Sequence, residues 1–226
     1  MTARHRPLWP VLVLVACVML LGLGLFKVSQ WMREPVPEQL EPLGPEAPGN
    51  PDAVKYLIVH HSLSHWGDGE SVVLWHTGPP PHRGWDRPGY HAVIGNGYPT
   101  NRSWKKRVYS ALADGRVDRI VSEDLRVNGV LHGNRNALQV CLIGDLDRHD
   151  PTPAQMRALA GLLSEWCIKY RLNPHRAILG HGEMQRMMGI EDYSKTCPGT
   201  HVDMDAVREA VHQRVAEHVR NDFLRR

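Results

Sequence analysis

From Leu8 to Phe26 the chain carries no charged side chain, and an apolar run of that length comes close to the ~20 residues a helix needs to cross a bilayer. Trp9 and Trp31 bracket the run at interface depth. Arg4 and Arg6 precede it, and Lys27, Arg33 and Glu34 follow, a small bias that places the amino terminus on the cytoplasmic side. Three readings fit: an uncleaved anchor, a cleaved signal peptide, and a lipoprotein signal, because Leu14-Val15-Ala16-Cys17 has the residue types of a lipobox. The run continues well past Cys17, where a mature lipoprotein would turn polar, which favours the anchor. Residues 1–33 are therefore expected to form a single-pass transmembrane segment in the cytoplasmic membrane, with the rest of the chain on its periplasmic or extracytoplasmic side.

Residues 34–51 are rich in proline and glutamate and nearly devoid of large apolar side chains, a composition that stays extended and solvated. They read as a tether to residues 52–226, a length suited to one domain with one core. The net charge of +3 is mild and the basic residues are scattered, so nothing points to nucleic acid. Of four cysteines, Cys17 lies in the apolar run, Cys141 in a strand-like stretch and Cys167 on the apolar side of a helix. Without the paired spacing of a disulfide scaffold, Cys141 and Cys167 read as two buried thiols in preference to the bridge an oxidising compartment would allow.

Within the domain, Lys55 to His60 is a short branched run ending at a histidine pair and predicts a buried strand. A helix is expected over about 69–76, a Pro/Gly-rich loop over 78–89, and a second strand at Tyr90 to Ile94, closed by Asn96-Gly97. Asp114-Gly115 marks another hairpin, and Leu138 to Ile143 suits a central strand. The clearest helix opens at Thr152-Pro153-Ala154-Gln155, a capping box with proline at the first helical position. Met156, Leu159, Ala160, Leu163, Trp166, Cys167 and Tyr170 give it one apolar face. Asn173-Pro174 ends it, Arg176 to Leu179 reads as a short strand, and Asp203 to His218 as a closing helix. The alternation predicts an α/β fold, a central mixed β-sheet flanked by helices in a single globular domain after the transmembrane helix.

Fourteen histidines is a high count, so most must be structurally ordinary. Three places combine a strand end with metal-compatible groups: His60-His61, His181 in Leu179-Gly180-His181, and Cys197 in Lys195-Thr196-Cys197-Pro198-Gly199. A catalytic zinc takes three nitrogen, sulfur or oxygen ligands and leaves a fourth position for water, which two imidazoles and a thiolate would satisfy. On spacing alone a strand-end histidine is more often simply hydrogen-bonded. A rival pair, His61 and His65, has helical i, i+4 spacing but lacks the glutamate of HExxH and follows a strand directly.

The strand ending in VHHS, then GYHAVI, HGNRNALQVCLIGD, TPAQM opening a helix, LGHGE and KTCPG follow one another in an order and spacing that resembles the N-acetylmuramoyl-L-alanine amidase family, which includes phage lysozyme-type amidases and peptidoglycan recognition proteins. The resemblance spans about residues 55–210. It implies that His60, His181 and Cys197 are zinc ligands, with Tyr90 and Lys195 at the family's catalytic tyrosine and lysine positions. By strand alternation His61 would face away from the metal and serve as a packed or hydrogen-bonded neighbour. His132, Asn134 and Asn136 resemble the family's groove-lining loop and would meet substrate. The implied substrate is peptidoglycan and the implied bond the amide between N-acetylmuramic acid and L-alanine of the stem peptide.

The cytoplasmic recycling amidases of this family carry an aspartate as third ligand and a glutamate on the central strand. Cys197 and the uncharged LQVCLIG run depart from that pattern. The stretch from about Tyr98 to Ala111, with Trp104-Lys105-Lys106-Arg107, is longer than a tight hairpin and reads as a solvated basic loop or a wall-binding or partner-binding insertion. The competing function is a membrane-tethered peptidoglycan-binding receptor without turnover. Such receptors typically lack the cysteine ligand, so Cys197 favours the hydrolase.

Overall fold

The computed structural model describes residues 54–190 and 196–225. The expected transmembrane segment, the tether and Lys195 lie outside the described residues. No described helix is long and apolar enough to cross a membrane.

Five strands form one mixed sheet in the order β3-β2-β4-β1-β5. They are β1 (Tyr56–His61), β2 (Ala92–Asn96), β3 (Asp114–Arg119), β4 (Ala137–Leu142) and β5 (Ile178–Gly180). The four strands from β2 to β5 across the sheet are parallel, and β3 is added antiparallel along the outer edge of β2. β1 and β4 are buried along their whole length, which explains why both read as continuous apolar runs rather than alternating ones.

The helices are α1 (Gly69–Thr77), α2 (Asn101–Lys105), α3 (Pro153–Tyr170), α4 (Pro174–Ala177), α5 (His181–Met187) and α6 (Met204–Arg225). On one face of the sheet, α3 and α6 cover Leu57, Val59, Leu138, Val140 and Leu142 with Leu159, Leu163, Trp166, Val211 and Val215. Each fully buried side chain of this size contributes roughly 1.5–3 kcal/mol, so this face holds the main core. The opposite face is thinner: Ile58 packs with Val130 and Met184, while Val93 and Ile143 pack with Val72 of α1. That thinner cover is where polar side chains can gather above the sheet.

α3 begins as its sequence predicts, with Thr152 and Gln155 exchanging both hydrogen bonds of a capping box. Four boundaries differ from expectation. Tyr90 and His91 precede β2, although the His91 N–H still donates to the Gln139 carbonyl at 2.8 Å. Asp114-Gly115 does not turn between two short strands; it opens β3, and residues 97–113 intervene after β2. The strand expected from Arg176 begins only at Ile178. Asn173 caps a helical turn through its side chain (3.0 Å to His175 N–H), and Pro174 fits the first helical position. The closing helix continues beyond His218 to Arg225.

Candidate metal centre and its supports

Alternation along β1 decides what each half of the histidine pair meets. Leu57, Val59 and His61 face the core beneath α3, while Ile58 and His60 face the thinner side. His61 is buried, and its Nδ1 accepts the Leu146 N–H at 3.1 Å, the hydrogen-bonded role expected of it. His60 is 1 % exposed, and its ring lies 4.7 Å from that of His181 and 4.8 Å from that of Tyr90.

His181 arrives from a separate element, the first turn of α5, directly after β5. Glu183 holds that turn: its Oε2 accepts the Gly180 N–H at 2.7 Å and a hydrogen bond from Arg208. Arg208, buried on α6, also donates to the Ile178 carbonyl (2.9 Å) and to Asp205 (2.7 Å), so one guanidinium ties the start of β5 and the start of α5 to the closing helix.

Cys197 comes from a loop fastened at three points. Its carbonyl accepts the Gly182 N–H at 2.8 Å, which joins the cysteine loop to the histidine helix. Asp147 accepts from the Thr196 hydroxyl (2.6 Å) and the Thr200 N–H (3.0 Å). The loop also passes so close to its neighbours that a Cβ at Gly180 would stand 2.7 Å from Pro198, and one at Gly199 2.5 Å from the Leu146 backbone.

These three elements bring His60, His181 and Cys197 together, with one ligand atom from each lying within 4.8 Å of the others. Cys197 Sγ is 3.7 Å from His60 Nδ1. A tetrahedral zinc would separate a thiolate and an imidazole nitrogen by roughly 3.6 Å, so the donor set and its spacing fit that ion.

The hydrogen-bond order fixes which His60 nitrogen is available. The Val130 N–H, which can only donate, meets Asn134 Oδ1 at 2.8 Å; Gln139 Nε2 donates to the same oxygen at 2.7 Å. Gln139 Oε1 is left to accept from His60 Nε2–H at 2.9 Å. His60 Nδ1 then carries the lone pair, and it is Nδ1 that faces Cys197. Room for this relay depends on Gly129, where a Cβ would fall 2.1 Å from Gln139 Oε1.

Burial, and then the neighbouring charge of His181, hold His60 well below the ordinary imidazole value. Two imidazolium rings 4.7 Å apart would repel by roughly 3–4 kcal/mol at an effective dielectric of 20, so His60 is held neutral beside His181. Burial, followed by the Cys141 thiol that its hydroxyl meets, pushes Tyr90 well above the ordinary phenol value. It therefore remains a proton donor. Its ring also leans on His76 at 5.2 Å, and His76 in turn stacks on Trp85 at 4.9 Å under Arg83.

The expected substrate-binding loop divides. His132 is exposed with a left-handed backbone (φ 62°), whereas Asn134 is engaged in the relay beneath His60, and the Asn136 carbonyl accepts from the Lys55 and Tyr56 N–H groups. Lys195 lies outside the described residues. Gln139, Glu183, Asp147 and Arg208 were not anticipated. A single carboxamide within the apolar LQVCLI run was the available sign of the first, and the Gly180-to-Glu183 spacing of a capping box the sign of the second.

The sequence profile of the N-acetylmuramoyl-L-alanine amidases matches residues 50–200. The chain belongs to this amidase family. Among solved structures, the N-acetylmuramoyl-L-alanine amidase LysC from Clostridium intestinale URNW superposes with a TM-score of 0.53 at 18% identity, covering 72% of this chain and 89% of that one. Drosophila PGRP-LB gives 0.50 at 20% identity, covering 81% and 92%. The ectodomain complex of peptidoglycan recognition proteins LCa and LCx, bound to tracheal cytotoxin, gives 0.50 at 18% identity, covering 82% and 95%. At these identities the likeness is one of fold. No curated protein matches the chain. The His-His-Cys cluster of this amidase domain lies inside the matched span.

Proposed function

We propose that the domain is a zinc-dependent peptidoglycan hydrolase that cleaves the amide between N-acetylmuramic acid and the L-alanine of the stem peptide. The observation that carries this reading is the convergence of His60 Nδ1, His181 and Cys197 Sγ inside an amidase-family domain. Zinc held there would polarise the scissile carbonyl and lower the pKa of a bound water toward ~7. The chain's own contributions follow from position. Gln139 orients His60, and the Gly182–Cys197 hydrogen bond sets the thiolate against it. Tyr90, protonated beside the cluster, donates to oxygen charge that develops at the carbonyl or steers the attacking water. Lys195, joined to Cys197 through Thr196 alone, supplies a cation for the same oxyanion. His132 and Asn136 meet sugar hydroxyls and peptide carbonyls from the loop edge, with Asn134 acting from beneath.

The apolar run of residues 1–33 and the Pro/Glu tether support a domain held outside the cytoplasmic membrane within reach of the wall. The receptor reading without turnover is disfavoured by the complete cluster. Incubated with purified sacculi, the protein should release stem peptides with a free L-alanine amino end, identified by mass spectrometry, and hold about one zinc per chain. New reducing sugar ends without freed peptides would refute the bond assignment, and intact sacculi bound by zinc-loaded protein would favour the receptor.

A further inference from the structure

β2 and β3 are antiparallel neighbours, a pair that 2–5 residues ordinarily suffice to join, yet residues 97–113 stand between them. The segment is folded. Thr100 and Ser103 form a capping box on α2, Trp104 stacks on His65 at 5.0 Å and abuts Tyr98 at 5.1 Å, and Tyr109 meets Tyr98 at 5.8 Å. The Tyr109 hydroxyl donates to Asp114 at 2.7 Å.

What this scaffold presents outward is unusual for a soluble surface. Arg102, Lys105, Lys106 and Arg107 are all exposed, and no acidic residue occurs from 97 to 113. Beside them Val108 is 59% exposed and Leu112 91%, with Tyr109 at 51% and Trp104 at 38%. The nearest acid in sequence, Asp114, is turned inward onto the Tyr109 and Thr152 hydroxyls. Aliphatic tips, aromatic rings and unpaired positive charge on one short segment match the layers of an anionic bilayer: acyl chains, interface and phosphates. A purely ionic polymer would leave Leu112 and Val108 without a medium to enter.

We propose that the 97–113 segment docks the domain onto a phospholipid surface bearing negative charge. Docking would hold the domain at the membrane face and away from the wall, a restraint on hydrolysis that is separable from the catalytic groups.

The test is hydrogen–deuterium exchange of the full chain on vesicles of phosphatidylcholine, with and without phosphatidylglycerol. Because it reads no catalysis, its outcome is independent of the hydrolase reading. Residues 97–113 should exchange more slowly when phosphatidylglycerol is present, while α3, which reports the fold, stays unchanged. Leu112→Asp should abolish the protection. Lys105→Ala with Lys106→Ala should raise about twenty-five-fold the vesicle concentration needed for half-protection, from a roughly fivefold loss of affinity per cation at an anionic surface. Equal exchange on both vesicle types would overturn the proposal. So would protection that appears only when a soluble anionic glycopolymer is added, which would assign the segment to the wall instead.

Discussion

Gln139 is wholly buried in a run of aliphatic residues, where an unpaired carboxamide costs several kcal/mol. Its three neighbours, His60, Asn134 and the space left by Gly129, show that it is there to be paired. Replacing it with alanine should weaken zinc binding by about 10–100-fold, the usual effect of removing a partner that orients a ligating histidine. Competition with a chromophoric chelator measures this, and the melting temperature of the metal-free variant separates it from general loosening. Cys197→Ser should lower bound zinc per chain and hydrolysis together while the circular dichroism of the domain is retained. At this scale the sequence was legible for the groups that resemble a family pattern, His60, His181 and Cys197. It was mute on Asp147 and Arg208, whose roles depend on partners far away along the chain.

The elements divide the work of bringing the His-His-Cys cluster together. β1 supplies a rigid platform, α5 begins at His181, and α6 reaches back through Arg208 to hold both β5 and α5. Arg208→Ala would leave Glu183 without its cation and remove a donor from the Ile178 carbonyl. A loss of about 3 kcal/mol in a denaturant titration is expected, at the lower end for a broken buried pair because Glu183 is 31% exposed. Gly180→Ala acts on the other side of the same turn. Its new Cβ must push Pro198 aside, so it should reduce metal affinity more than it reduces stability. Strands and long helices were legible because local signals agree: the Thr152–Gln155 box fixed the start of α3, and unbroken apolar runs marked β1 and β4. Boundaries failed where tertiary pairing or a cap competes with propensity, as when Asn173 and Pro174 claimed residues that read as strand. The long β2–β3 connection was legible as extra length, but its folded aromatic layer was not, because stacking between Trp104 and His65 joins segments with no shared periodicity.

Among the described residues, three imidazoles serve as acceptors for backbone N–H groups: His61 for Leu146, His76 for Gly89 and His91 for Gln139. Protonation would turn each acceptor nitrogen into a donor facing another donor. Burial lowers His76 from 6.5 to about 4, and burial likewise lowers His91 to about 4. Because the folded values lie below the unfolded one, their contribution is complete above pH 6.5 and is lost as the pH falls toward 4. Metal-free protein should therefore lose on the order of 3 kcal/mol for each of His76 and His91 over that window. Thermal melts at stepped pH in chelator would show it, and a flat profile from pH 7 to 4 would contradict the assignment of these rings as neutral acceptors.

The hydrogen bond from Gly182 to the Cys197 carbonyl has a consequence for supply. Because two of the donors are latched to each other through main chain, an emptied shell should keep its shape and refill without refolding. Turnover would then track how much ion the surroundings offer, and a protein stripped during scarcity would be dormant rather than lost.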